Sequence, residues 1–293
     1  MIHTPATARP SKLARGCAIG AVLAFGWTLA SSDFVRADPI TPALYSSDPV
    51  HVPDEIDLGM GVQNWYYRET AGDSDSAALL EGHLRTISYF GPVILGSDLS
   101  YMGSYYGRYD GSVLQTGQSL QIPMAETVNQ ESVHLGFLAV NTARDSLGVW
   151  MTYGYHQQIW MTPAQDGGYE ENYQIPYLGG ALYNQNPFPG TPWTLYEEIG
   201  YRSALSPGMT VTPSAGQSIP GGTYNLGGSW DLHGMVGVRY LFSRHVGLYL
   251  NASYNYWAFG QSTNTLSLGS SQFYEPSSIT TTFGSEVGVV FEF

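Results

Sequence analysis

Asp231-Leu232-His233 sets a carboxylate and an imidazole two residues apart, which puts both on one face of an extended strand. Such a pair has the parts of a general base, the carboxylate fixing the ring and the ring taking a proton from water. Glu81, His83 and Arg85 repeat the spacing as a second triplet. The same period gathers Asp57, Asp98, His134, His156, Glu198, Arg202, Arg239, Glu286 and Glu292 onto matching faces of other stretches. Charges collected in an interior must be paired, so a salt-bridge and hydrogen-bond network competes with catalysis as the reading of the whole set. No metal site and no cofactor is expected: the histidines are scattered over separate stretches, and neither a phosphate-cradling glycine loop nor a serine elbow is present.

The stretches that carry these residues alternate with period two. Over residues 56–67, Ile56, Leu58, Met60, Val62 and Tyr66 oppose Asp57, Gly59, Gly61 and Gln63. Similar strands are predicted at about 79–90, 93–107, 131–141, 147–161, 169–183, 193–204, 230–242, 246–260 and 284–293. Pro176 inside the sixth removes a ladder donor and predicts a bulge there. Glu197 falls among the apolar outward positions Leu195, Ile199 and Tyr201, where a charge is unfavourable. A rival assignment makes 162–192 one loop and 209–212 a short strand, and either count is ten. Long polar connections (69–76, 108–130, 261–278) alternate with short turns such as Gly91-Pro92 and Ser243-Arg244-His245. That asymmetry, with apolar and polar faces on every strand, predicts an all-β, transmembrane antiparallel barrel of about ten strands, eight or twelve being the alternatives.

The N-terminal stretch reads as a secretory signal peptide, residues 1–37. Arg9, Lys12 and Arg15 precede an apolar run from Cys17 to Leu29, and Val35-Arg36-Ala37 supplies small residues for cleavage. Residues 38–53 hold four prolines and form a periplasmic lead-in, and residues 54–293 form the barrel domain. Removing 1–37 takes four bases and one acid from a formal charge of −13, leaving −16 and no lysine. A chain this acidic has no surface for nucleic acid. With 22 tyrosines, 35 glycines and only 12% charged residues, it suits a barrel with aromatic girdles and a polar interior.

The end of the chain, Val287-Gly288-Val289-Val290-Phe291-Glu292-Phe293, resembles the closing strand of bacterial outer-membrane barrels, whose final aromatic is read by the barrel assembly machinery. Tyr109-Asp110-Gly111, the run from Gly168 to Tyr177, Phe259-Gly260-Gln261-Ser262 and the run from Phe273 to Ser278 resemble a proteobacterial, porin-like family of ten-stranded outer-membrane barrels. The resemblance implies the cell outer membrane as location, its lipid and lipopolysaccharide as partners, and Phe291 and Phe293 as an assembly signal. It implies no activity. Asp231 and His233 resemble the aspartate–histidine pair of omptins, the ten-stranded surface proteases. Omptins also need a paired-aspartate arm, and Asp73-Ser74-Asp75 lies in the first loop rather than the second. The expected function is a narrow passage preferring small cationic solutes, on the strength of Asp73, Asp75, Asp110, Glu126, Asp166 and Glu275 around the outer mouth. The alternative is a closed barrel displaying acidic loops, and an omptin-like protease comes third.

Overall fold

The structure, a computed structural model, describes residues 52–112, 119–142, 145–163, 168–214 and 219–293. The signal peptide, its cleavage point after Ala37, Cys17, nearly all of the lead-in and Asp166 lie outside the described residues.

Thirteen strands are described: β1 (Glu55–Glu69), β2 (Ser74–Phe90), β3 (Val93–Ser112), β4 (Ser119–Asn141), β5 (Ser146–Met161), β6 (Tyr169–Pro187), β7 (Trp193–Ala204), β8 (Gly208–Pro213), β9 (Gly222–Leu241), β10 (Val246–Ser262), β11 (Leu266–Leu268), β12 (Ser271–Phe273) and β13 (Ser278–Glu292). All pairings are antiparallel. Ten strands pair in a ring: β1 to β7 in chain order, then β9, β10 and β13, with β13 returning to β1 from Glu55↔Glu292 to Glu69↔Ser278. The short β8 fills the space between β6 and β9 beyond the end of β7. The β11–β12 hairpin sits in the connection before β13.

A tilted strand needs only about 9–11 residues to cross a bilayer, yet β3, β4 and β9 have 20, 23 and 20. The excess stands at the end opposite the short turns, and the side-chain pattern changes there. Across the membrane belt the outward positions are apolar and exposed, as with Leu58, Met60, Leu135, Met151, Ile199, Leu250 and Val287. Aromatic side chains bound that belt, Phe90, Phe137, Trp193, Tyr240 and Phe291 at the short-turn end, and Tyr66, Tyr101, Tyr201 and Trp230 at the other. On β9, Trp230 to Tyr240 spans ten residues, roughly 25 Å of height at a typical strand tilt. Beyond the belt the preference inverts. Ser74, Ser76 and Gln121 face outward, and Tyr67, Leu79, Tyr109, Met124, Trp160, Tyr173 and Met209 pack inside as one apolar cluster. That half is built like a soluble barrel with its own core.

This inversion explains where the expected boundaries fall short. The polar run 69–76 is a tight turn at 70–73, because β1 and β2 keep pairing through Arg68↔Ser74. The expected loop 108–130 is mostly strand, β3 and β4 remaining paired to Ser112↔Ser119. The expected bulge at Pro176 is absent: β5 and β6 stay in register through Tyr155↔Pro176. Pro176 accepts a hydrogen bond on its carbonyl from the Leu205 amide. Since the amide and carbonyl of one strand residue point the same way, the missing donor falls at the junction where β7 ends and β8 begins, and no β5 bond is lost.

Glycine lets inward side chains crowd across the lumen. A Cβ on Gly136 would run into the Val149 carbonyl oxygen and the Trp150 Cβ, which backbone fixes, whereas one on outward Gly82 would meet nothing within 4 Å. Gly136→Val is expected to cost about 1–3 kcal/mol or more through overpacking, read as a lower urea midpoint in lipid vesicles. Gly82→Val should leave the midpoint unchanged.

Candidate functional site: a charged lumen in three tiers

Three arginines enter the lumen at three heights, each from the inward face of its strand. Arg239 sits one residue above Tyr240, at the short-turn end of β9. Its guanidinium grips Glu55 with two parallel bonds of 2.8 and 2.9 Å and reaches Glu292 at 3.2 Å. Asp57 lies 3.6 Å away, and Gln185 donates to Glu55 at 2.8 Å. The fork matches a carboxylate in a way lysine cannot.

Arg85 occupies the middle of the belt. It pairs with Glu198 across the barrel and lies 3.5 Å from Asp98. Asp98 in turn takes His134, and His83 stands 3.5 Å from Asp98 and 3.1 Å from Glu286. Tyr249 and Asn251 donate to that same Glu286. Arg202 forms the upper tier, 3.3 Å from Asp231. Asp231 accepts from His233 Nδ1 at 3.0 Å, and His233 Nε2 lies 3.4 Å from Glu198. A continuous chain of charge contacts thus runs from Arg202 through Asp231, His233, Glu198, Arg85 and Asp98 to His83 and Glu286.

Flat rings complete each tier. Arg85 lies over Trp150 and Tyr183, at 5.3 and 4.9 Å from the ring centres. Arg202 lies 5.1 Å over Tyr177 and Arg239 5.6 Å over Tyr196. His134, Trp150 and Tyr183 stack in sequence at 4.9 and 5.1 Å. Guanidinium planes on aromatic faces add attraction when water is excluded.

Of the residues singled out in the sequence, the structure brings Arg85, Asp98, Glu198, His83, Glu286, His233, Asp231, Arg202 and Arg239 into this lumen, together with His134, Asp57 and Glu292. Glu81 is buried but bonds Gln63 at 2.6 Å, so Glu81, His83 and Arg85 form no triplet among themselves. Each of the three takes a partner from another strand instead: Glu81 takes Gln63, His83 takes Glu286 and Arg85 takes Glu198. His156 is buried against Trp257, 4.9 Å between ring centres, and makes no ion pair with the chain of charges among the described residues.

Asp231 and His233 are buried at the level of the upper membrane girdle, nine and eleven residues below the start of β9. The aspartate is neutralised by Arg202, and both ring nitrogens of His233 face carboxylates. The geometry is that of an ion-paired interior. Asp73 and Asp75, the other arm considered, lie in the turn before β2 and on its first residues, and Asp75 points inward and is buried.

Glu55, the chief partner of Arg239, escaped the sequence reading although it is in phase with Asp57; its place just ahead of the first apolar residue hid it. Glu126, Glu171 and Glu275, which composition suggested as loop groups or passed over, are buried inside the protruding half. There Tyr67 and Tyr173 hydroxyls stand 3.0 Å apart, and three carboxylates converge on them. Tyr67 reaches Glu69 at 3.1 Å and Glu275 at 3.4 Å, and Tyr173 reaches Glu275 at 3.0 Å and Glu171 at 3.3 Å. Two hydroxyl protons serve three acceptors, and no basic side chain bonds any of them among the described residues.

The ring of ten strands, the lipid-facing belt and the polar, charged lumen meet the requirements of a bacterial outer-membrane barrel, and solved structures agree. The outer membrane protease OmpT from Escherichia coli matches with a TM-score of 0.60 at 10% identity, over 85% of this chain and 99% of that one. The chain has the outer-membrane β-barrel fold. Two further barrels align over most of their length with TM-scores of 0.45 and 0.33: the translocator domain of the autotransporter NalP from Neisseria meningitidis, at 12% identity, 95% of this chain and 98% of that one, and OprG from Pseudomonas aeruginosa, at 15%, 82% and 96%. No protein-family model and no curated protein matches. By the polarity of this fold, the short turns and the ends of β1 and β13 lie on the periplasmic side, and the protruding half is extracellular.

Two outcomes follow. Arg85→Met removes the guanidinium shared by the half-buried Asp98 and Glu198, leaving them only His83, His134 and His233, and is expected to cost about 3–5 kcal/mol. Arg108→Met, which breaks an exposed pair with Asp110, should cost under about 1 kcal/mol. Urea unfolding in vesicles compares them. Glu275, in the extracellular loop before β13, has its carboxyl raised from 4.5 to about 8, by burial first and then by the charge of Glu69. The folded chain therefore holds a proton that the unfolded chain releases, so this contribution to stability is complete below about 4.5 and is lost as pH rises through about 8. Hydrogen exchange around β13 should quicken, beyond its intrinsic pH dependence, between pH 5 and pH 9, and Glu275→Gln should flatten that excess.

Proposed function

We propose that this barrel is closed and that it acts through its extracellular half. The observation that carries the reading is the lumen, crossed at three heights by arginines that are each paired with carboxylates and laid on aromatic rings. Ten strands enclose little more than their own side chains. Here those side chains are Trp150, Tyr183, Tyr196, Tyr249, Trp65 and Trp257, all buried. The acidic mouth that favours a cation passage opens onto this filled interior.

The extracellular half offers a mainly acidic surface, on which Arg68 and Arg108, the latter paired with Asp110, are the exposed bases of β1 and β3. Asp73, Asp110, Glu131 and Glu170 stand on it or beside it, over the buried carboxylates Asp75, Glu126, Glu171 and Glu275. An acidic face of this kind attracts cationic partners over a Debye length. The belt meets outer-membrane lipid and lipopolysaccharide, and the exposed Phe291 and Phe293 present the assembly signal to the barrel assembly machinery. Proteolysis is the least supported function, because Asp231 and His233 are enclosed in ion pairs. Planar-bilayer recording separates the readings. Protein shown to be folded is expected to give no steps across salts and pH, and small cation-selective steps that weaken when extracellular carboxylates are neutralised would replace this proposal with the passage.

A further inference from the structure

Glu197 is the feature of the belt that neither lipid nor lumen explains. It faces outward and is exposed on β7, midway between Trp193 and Tyr201, the aromatic residues near the two girdles. A charge on the lipid face is least favourable at this depth. Asn184 of β6 stands directly opposite it, half-buried, with its Oδ1 unpartnered. On the other side the surface is hollow. Gly234 on β9 and Ala252 on β10 are too small to fill their outward positions, and a groove of about 420 Å³ runs past Glu197 between Ile199, Tyr254 and Phe283.

We propose that this face binds a second copy of the same chain, across a two-fold axis in the membrane. A lipid tail could lie in the groove but has no donor for Glu197, and headgroups lie at the girdles. A second copy offers an amide donor, which lipid does not. The two-fold brings the Glu197 carboxyl of one barrel to the partner's Asn184 amide, and the reverse contact forms with it, which is the self-complementarity a symmetric interface requires. Small residues at the base of the groove let the two sheets approach, as at other protein contacts within membranes, where close packing and interchain hydrogen bonds replace the hydrophobic effect. The face is independent of the lumen, so it stands whether or not the barrel conducts.

The test is disulfide cross-linking in native outer membranes through Val236→Cys, beside the groove, in a Cys17→Ser background, with mass determination of the uncross-linked protein in lipid nanodiscs. The expected result is a cross-linked homodimer and a dimeric mass. Gly234→Leu fills the groove, and its Cβ has room, the nearest atom being the Glu198 carbonyl oxygen at 3.6 Å. This change and Glu197→Leu should each cut cross-linking about tenfold or more while heat-modifiable migration stays normal, and Glu197→Gln, which keeps a hydrogen-bonding group, should retain it. A folded wild type that is monomeric and does not cross-link, a cross-link to a different protein, or a Gly234→Leu barrel that dimerises undiminished would each overturn the proposal.

Discussion

An arginine inside a barrel cannot shed its charge, so the surrounding strands must bring it carboxylates. Arg85, Arg202 and Arg239 impose that condition at three heights, and much of the lumen follows from it. Glu55 and Glu292 are the first and last residues of the closing pair β1 and β13, and both bind Arg239. Closure of the ring and neutralisation of the periplasmic tier are therefore one event. The middle tier ties β2, β3 and β7 together across the lumen, and the upper tier ties β7 to β9. Aromatic rings fill the remaining cross-section and lower the local dielectric, which strengthens pairs that water would screen.

The chain thus contains two barrels of opposite polarity stacked end to end. Within the membrane, apolar residues face out and charges face in. In the extracellular half, polar residues face out and an apolar core of tryptophans, tyrosines, leucine and methionines faces in. The first half depends on ion pairs for its interior, the second on ordinary apolar burial. The carboxylates Glu171 and Glu275 lie where the walls rise clear of the bilayer, and there tyrosine hydroxyls and protons take the place of arginine.

What could be read from the sequence follows the same division. The apolar-out alternation of Ile56 to Tyr66 or Leu248 to Tyr256 gave each membrane strand and the inward phase of Asp98, Glu198, Arg202 and Asp231, because lipid demands an apolar exterior. Past the girdle that demand ends. Ser74, Ser76 and Gln121 then look like loop, although their backbones still pair. Period also tells which residues share the lumen but not which ones touch. That Glu198 meets Arg85 and His233, rather than a neighbour on its own strand, depends on register and on the curvature of the sheet. Pro176 shows the complementary error: a residue that argues locally for a bulge is harmless where one neighbouring strand gives way to another.

The central claim is that buried arginine–carboxylate pairs act as units that close and fill the barrel. A double-mutant cycle on Arg239 and Glu55, read by urea unfolding in lipid vesicles, tests it most directly. Arg239→Met and Glu55→Gln should each destabilise strongly, one by stranding carboxylates and the other by stranding the guanidinium. The double variant should be more stable than the sum of the two losses implies, by about 1–3 kcal/mol. Losses that simply add would mean that the two residues do not act as a pair, and the account of how the ring is held closed would fail.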